Sequence, residues 1–127
     1  MPLITLTVRK PKSPAFKKAV LAAVHTALVA SGVPEKDRFH RVIELEAEDF
    51  QFDDRYPDLT SSRDENFILI EILLSVGRSA KIKKKILADL MASLTRDPGA
   101  NPENVMVVFK ETQWENWAFG GGRQIHV

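Results

Sequence analysis

Apolar residues recur at every second position in some stretches of the chain and at every third or fourth in others, and the two kinds of stretch take turns. Side chains two apart share one face of a strand, and those three or four apart share one face of a helix, so the order of periods is an order of elements. The opening PLITLTV alternates and is rich in β-branched residues, which predicts a strand from Pro2 to Val8. Its first residue is a proline, tolerated there because no ladder hydrogen bond is lost. In SPAFKKAVLAAVHTALVASG, Phe16, Val20, Val24, Ala27 and Leu28 recur at helical spacing, with Ser13 as N-cap, Pro14 at the first helical position and Gly32 as the stop. RFHRVIELE follows, where Phe39, Arg41, Ile43 and Leu45 alternate with His40, Val42 and Glu44 as in a half-buried strand. DFQFDDRYPDLTSSRDEN is polar and turn-rich, and predicts a long surface connection with a short strand at Phe50–Phe52. FILIEILLS is the most apolar strand and is expected at the centre of the sheet. A second helix is predicted in SAKIKKKILADLMASLTRD, where Ile82, Ile86, Leu90 and Leu94 are four apart with Leu87 and Met91 beside them. PENVMVVFKE reads as a last strand, and the tail WENWAFGGGRQIHV has neither period.

The order is β-α-β, a connection, then β-α-β again. The halves align at an offset of 68 residues, which lays Pro34-Glu35 on Pro102-Glu103 and Pro2–Val8 on Ile70–Val76. Pseudo-repeats of about 2–46 and 67–111 and a C-terminal tail are expected to form a single domain over 1–127. The predicted fold is α+β: a duplicated β-α-β unit with right-handed crossovers, giving a four-stranded sheet with two helices on one face. The other face would carry Phe67, Leu69 and Leu73 around Glu71, too apolar a surface for water. Burial of that face between copies of the chain is the expected remedy.

Composition narrows the function classes. A chain of 127 residues, 44% of them hydrophobic, has the size of one domain and the means to build a core. Lys+Arg 18 against Asp+Glu 17 leaves a formal charge of +1, so neither nucleic acid nor an anionic membrane is an expected partner. The absence of cysteine excludes disulfides, thiol catalysis and Cys-ligated metals. No apolar run approaches the ~20 residues of a membrane span, and the first residues lack the blocks of a signal peptide. A cytoplasmic location is expected. His25, His40 and His126 have no ligand spacing, so no metal is expected. GGGR precedes no helix that would complete a phosphate cradle, and KIKKK reads as a solvated helix face.

Two places carry candidate chemistry. Removal of Met1 would leave Pro2 with a free secondary amine, a base or nucleophile at the start of a rigid strand; with Met1 in place the same nitrogen is an amide. At the join of the apolar strand and second helix, Gly77-Arg78-Ser79 puts a cation beside the positive end of a helix dipole. An arginine, a prolyl amine and helix N–H groups together suit a small carboxylate. Taken as residues alone, Arg78 has a plainer use as an ion-pair partner of Glu71 or of another subunit. Asp37, soon after Pro34-Glu35, is ordinary turn chemistry. Trp114 and Trp117 suit core or interface anchors as well as substrate contacts.

In their order and spacing, the N-terminal proline, the duplicated β-α-β unit, VPEKDR, strand-Gly-Arg-Ser-helix and WAFGGGR resemble the tautomerase superfamily. The likeness is to its longer, fused members typified by malonate semialdehyde decarboxylase. The resemblance implies a homotrimer without cofactors that acts on a small carboxylate-bearing substrate. It implies Pro2 as general base, Arg78 as the carboxylate grip and Asp37 as the acidic residue that orients water or the proline. Trp117 and Phe119, with Trp114, would be apolar walls that bind substrate and exclude water. The decarboxylase pattern has two arginines two residues apart, and here Val76 stands where the first belongs. That departure favours keto–enol tautomerisation of a 2-oxo acid. Decarboxylation or hydration of a 3-oxo acid, or a catalytically silent trimer that retains Met1, are the alternatives.

Overall fold

The computed structural model describes residues 2–126. Among them the two most apolar strands pair with each other: β1 (Leu3–Arg9) lies antiparallel to β3 (Ile68–Ser75), with Leu3 opposite Leu73 and Thr5 opposite Glu71. Each is flanked by the parallel strand of its own half. β2 (Phe39–Leu45) runs beside β1, and β4 (Val105–Thr112) beside β3, for a sheet order β2-β1-β3-β4. The helices α1 (Pro14–Ala30) and α2 (Ala80–Arg96) are the parallel crossovers. The fold is the expected α+β arrangement.

Alternation decides which residues meet the helices. Ile4, Leu6 and Val8 of β1 and Ile68, Ile70, Ile72 and Leu74 of β3 are fully buried on one face, against Val20, Val24 and Leu28 of α1 and Ile86, Leu90 and Leu94 of α2. Ile82, the first of the predicted α2 stripe, lies in the opening turn and is exposed. Both helices start as their caps predict. Ser13 Oγ accepts the N–H of Phe16 at 3.0 Å and Ser79 Oγ that of Ile82 at 3.2 Å. Gly32, at φ +112°, turns the chain out of α1 while Val33 N–H donates back to Leu28 at 3.1 Å.

The repeat is tighter than the sequence alignment. The caps Ser13 and Ser79 lie 66 residues apart, as do the helix starts Pro14 and Ala80 and the strand starts Phe39 and Val105. The offset of 68 is therefore corrected to 66: both αβ loops have the same length, and the Pro-Glu match was a coincidence within them. Under this relation Thr5 and Glu71, opposite each other in the ladder, exchange places, so the pseudo-two-fold axis passes between them.

The other face differs from expectation at one end. Phe67 is 3% exposed within the chain itself, because the connection after β2 folds Phe50 and Phe52 onto it with ring centroids 5.5 and 4.4 Å away. No strand forms at Phe50–Phe52; a short 3-10 turn at Ala47–Asp49 leads into bends instead. Arg9 holds the connection twice, by Nε donating to the Phe50 carbonyl at 2.8 Å and by its guanidinium lying over the Phe52 ring. In the middle of this face Arg41 Nε donates to Thr5 Oγ1 at 2.8 Å, and Lys110 is ion-paired with Glu71. Leu69 and Leu73 stay half-buried, and Phe39, Ile43 and Met106 are exposed. No helix among the described residues is long and apolar enough to cross a membrane.

Candidate active site

The strand directions collect the candidate residues at one end of the sheet. β1 starts where β3 ends, and parallel pairing puts the start of β2 and the end of β4 there as well. Pro2 is buried and sits one residue before Leu3, whose ladder partners are Phe39 and Leu73. Asp37 enters β2 through a turn in which its N–H donates to the Pro34 carbonyl at 3.0 Å. Arg78 follows the end of β3, where Val76 N–H closes onto the Thr112 carbonyl at 3.0 Å and Gly77 adopts φ +123°. That positive φ is a glycine conformation, and it delivers Arg78 to the residue just ahead of the α2 N-cap. Whether Met1 is present bears on the Pro2 nitrogen, and Met1 lies outside the described residues.

Arg78 is half-buried, and among the described residues it has neither a hydrogen bond nor an ion pair. The plain partner, Glu71, is taken by Lys110. A guanidinium next to the N-terminus of a 17-residue helix is a cation placed in a positive field. Helix and arginine both favour an anion there, and a carboxylate matches the guanidinium fork. The other half supplies a comparison. Under the 66-residue relation, Arg78 corresponds to Lys12, Asp37 to Glu103 and Pro2 to Ile68. Lys12 Nζ donates to the carbonyls of Arg9 at 3.0 Å and Glu65 at 3.3 Å, and Glu103 accepts from Thr60 Oγ1 at 2.5 Å. Both are committed to holding the 46–67 connection, which covers that end.

What stands over the Pro2 end is the tail. A 3-10 turn at Trp114–Asn116 ends β4, and Trp117 then stacks on Phe119 at 5.6 Å with the planes 8° apart. Phe119 reaches Phe39 at 5.7 Å. Asp37, Phe39, Phe119, Ile125 and His126 line an open cavity of about 280 Å³. Of the expected site residues, the structure brings Asp37 and Phe119 into this cavity, with Trp117 behind Phe119. Pro2 and Arg78 lie at the same end without lining it. Trp114 packs edge-on against His126 at 5.3 Å and is 39% exposed. The indole N–H of Trp117 is buried without an acceptor among the described residues. Phe39, Ile125 and His126 were missed by the sequence reading: Phe39 as a cavity residue was hidden in a regular strand, and the tail contacts have no period.

A histidine pair lies on the helix side of β2. His40 meets His25 at 5.8 Å between centroids, and His25 Nε2 is 2.9 Å from the Glu35 carbonyl. Burial, then the neighbouring His25 and Arg38, hold the His40 imidazole below its usual range. No group of three His, Asp or Glu side chains among the described residues is arranged to hold a metal ion.

Comparison with known proteins agrees with the geometry. A family profile described as tautomerase enzyme matches residues 37–120. The probable tautomerase YusQ of Bacillus subtilis (strain 168) is 26% identical over 124 residues, covering 97% of this chain and 96% of that protein. The structure of a malonate semialdehyde decarboxylase superposes with a TM-score of 0.87 at 29% identity, over 96% of this chain and 93% of that one. A fused 4-OT superposes at 0.74 with 20% identity, over 94% and 93% of the two chains, a likeness of fold. The match spans the αβ turn that carries Asp37, the Gly77-Arg78-Ser79 join and the tail through Gly120: the chain belongs to the tautomerase enzyme family.

Proposed function

We propose that the protein is a cofactor-independent tautomerase that interconverts the enol and keto forms of a small 2-oxo acid. The observation that carries the reading is the half-buried Arg78, unpaired among the described residues, at the N-terminus of α2 and at the end of the sheet where Pro2 begins. In this reading Arg78 grips the substrate carboxylate and polarises the adjoining carbonyl. Pro2, freed by loss of Met1, moves the proton between enol oxygen and carbon. An amine in apolar surroundings with a cation nearby gives up its proton more readily, since both conditions disfavour the charged form. The Trp117–Phe119 stack walls the site from water. Asp37 orients water or the prolyl amine from across the cavity. The active species is a homotrimer closed over the uncovered part of the sheet face. A relative of the same fold, a fused 4-OT, is described as a symmetric trimer.

Replacement of Arg78 tests the reading. Arg78→Ala is expected to lower kcat/KM for an arylenolpyruvate about a hundredfold, ~3 kcal/mol of transition-state stabilisation, with the fold intact. Arg78→Lys should rescue little, because a point charge on a flexible stem does not reproduce the planar fork. Unchanged turnover in both variants refutes it. Intact-mass measurement on protein from its native host decides whether Pro2 is the terminus; a retained Met1 would favour the catalytically silent scaffold.

The TM-score of 0.87 to malonate semialdehyde decarboxylases supports a second reading, decarboxylation or hydration of a 3-oxo acid. Val76 stands where that pattern has its other arginine. Val76→Arg is expected to gain carbon dioxide release from malonate semialdehyde if the missing cation is what separates the two reactions.

A further inference from the structure

A buried imidazole in α1 has no work in the tautomerase reading. His25 lies among core residues of that helix and is 5% exposed. Its Nε2–H donates to the Glu35 carbonyl at 2.9 Å, and Nδ1 is buried without a partner among the described residues. Burying an imidazole for a single hydrogen bond is costly, so what that bond holds matters. Glu35 belongs to the turn between α1 and β2. In the same turn Asp37 N–H donates to the Pro34 carbonyl at 3.0 Å, and Arg38 N–H to that of Lys36 at 2.9 Å. Leu3 pairs with Phe39, so the turn enters the sheet beside Pro2. The other half of the chain is built differently. Under the 66-residue relation His25 corresponds to Met91, a half-buried side chain with no N–H to give, and Glu35 to Asn101. The Asn101 carbonyl accepts the N–H of Asn104 at 2.9 Å and closes the 3-10 turn Pro102–Asn104. In the half that carries Asp37, the equivalent carbonyl goes to the helix side chain instead.

We propose that His25 is a positioning residue for the reaction: from the core of α1 it sets the turn that brings Asp37 to the Pro2 end of the sheet. The proposal rests on the tautomerase reading, in which Asp37 orients water or the prolyl amine. Glu35 and Asp37 are two residues apart, so a shift of the tethered carbonyl passes directly into the Asp37 backbone. Val20, Val24 and Leu28 fix α1 against the sheet, which makes His25 a rigid post. Hydrogen bonds inside the turn set its shape, whereas a bond to a separate element sets where that shape stands. Catalytic geometry responds on this scale, since a misplacement of about 1 Å can cost on the order of a hundredfold in rate. His25 itself neither touches the substrate nor exchanges its proton.

The test compares His25→Met and His25→Gln with wild type on an arylenolpyruvate, using protein confirmed by intact mass to begin at Pro2. Met is the residue of the other half and keeps the core filled, while Gln keeps a side-chain N–H for the carbonyl. His25→Met is expected to lose about tenfold in kcat with KM changed less than about twofold, and His25→Gln to recover most of the loss. In an Asp37→Asn background, itself slower, His25→Met should cost nothing further, because its effect runs through Asp37. A merely structural role predicts losses that multiply. Multiplied losses, or wild-type kcat in His25→Met, overturn the proposal. Amide exchange followed by NMR without substrate reads the tether itself. The Asp37 and Arg38 N–H groups should exchange about tenfold faster in His25→Met and near the wild-type rate in His25→Gln. Unchanged exchange in His25→Met overturns the proposal whatever the turnover. Wild type inactive toward keto–enol substrates, or Asp37→Asn as fast as wild type, fails the underlying reading and the positioning role with it. The exchange rates tell that failure from a missing tether.

Discussion

Arg78 and Lys12 hold the same place in the two halves, one residue ahead of a helix N-cap, and are used differently. Lys12 spends its ammonium on backbone carbonyls of Arg9 and Glu65, whereas Arg78 keeps its guanidinium uncommitted against an unfavourable helix dipole. Their alanine variants should therefore diverge. Lys12→Ala is expected to cost about 1 kcal/mol in urea denaturation, the usual worth of such hydrogen bonds, while Arg78→Ala is stability-neutral or slightly stabilising. His40 gives a pH prediction at the same scale. Its imidazole is held below the usual range in the folded chain, so the unfolded chain binds more protons as pH falls. The stability from its neutral form is fully present above the unfolded value near 6.5 and is lost as pH falls through the depressed folded value. Wild type should thus lose Tm between pH 7.5 and 5.5 more steeply than His40→Gln; parallel curves would contradict this. Of these residues, sequence alone marked Arg78, because strand-Gly-Arg-Ser-helix is a local pattern. It did not mark Lys12, whose Glu65 partner lies 53 positions away.

At the scale of elements, the helices were legible because their information is local. Each has its cap three residues before the N–H it receives, and its stripe is set by a four-residue repeat. The 46–67 connection was not legible for the opposite reason. Its order comes from Phe50, Phe52 and Phe67, residues brought together by a fold-back with no repeat, so a short strand and an uncovered Phe67 were the reasonable expectations. Phe67→Ala removes a ring that is 3% exposed and should cost about 3–5 kcal/mol by loss of burial and the cavity left behind. Limited proteolysis should then cut first within residues 47–66, with the helices still resistant. Equal resistance of the connection in wild type and variant would show that Phe67 does not hold it.

At the scale of the whole molecule, the proposed trimer depends on the unfilled part of the sheet face. Its centre is a cross-strand row, Arg41 to Thr5 and Glu71 to Lys110, flanked by half-buried Leu69 and Leu73 and exposed Phe39, Ile43 and Met106. A charged row inside an apolar field fixes the register of whatever covers it more than it adds affinity. Sedimentation equilibrium is expected to show a trimer at micromolar protein, and Leu73→Arg to dissociate it by putting an unmatched cation beside that row. A wild-type monomer would remove the trimer from the proposal. The candidate site was only half legible at this scale. Pro2, Arg78 and Asp37 could be marked through resemblance to a family, but the cavity that Asp37 shares with Phe39 and His126 depends on a tail returning across 89 positions of sequence, from 37 to 126.

The pseudo-two-fold axis between Thr5 and Glu71 has a consequence for how such a chain can change. Two separate half-length chains related by a true dyad would receive every substitution twice, once at each end. A plug that buried one end would then bury both, and the chemistry would be lost with the gain in stability. Fusion of the halves removes that coupling. In the fused chain Ile68 stands where the other half has Pro2, and Phe50, Phe52 and Phe67 close over one pole while Phe119 of the tail reaches the other. Each pole can take substitutions without the other, so one can serve as ballast while the other is free to change.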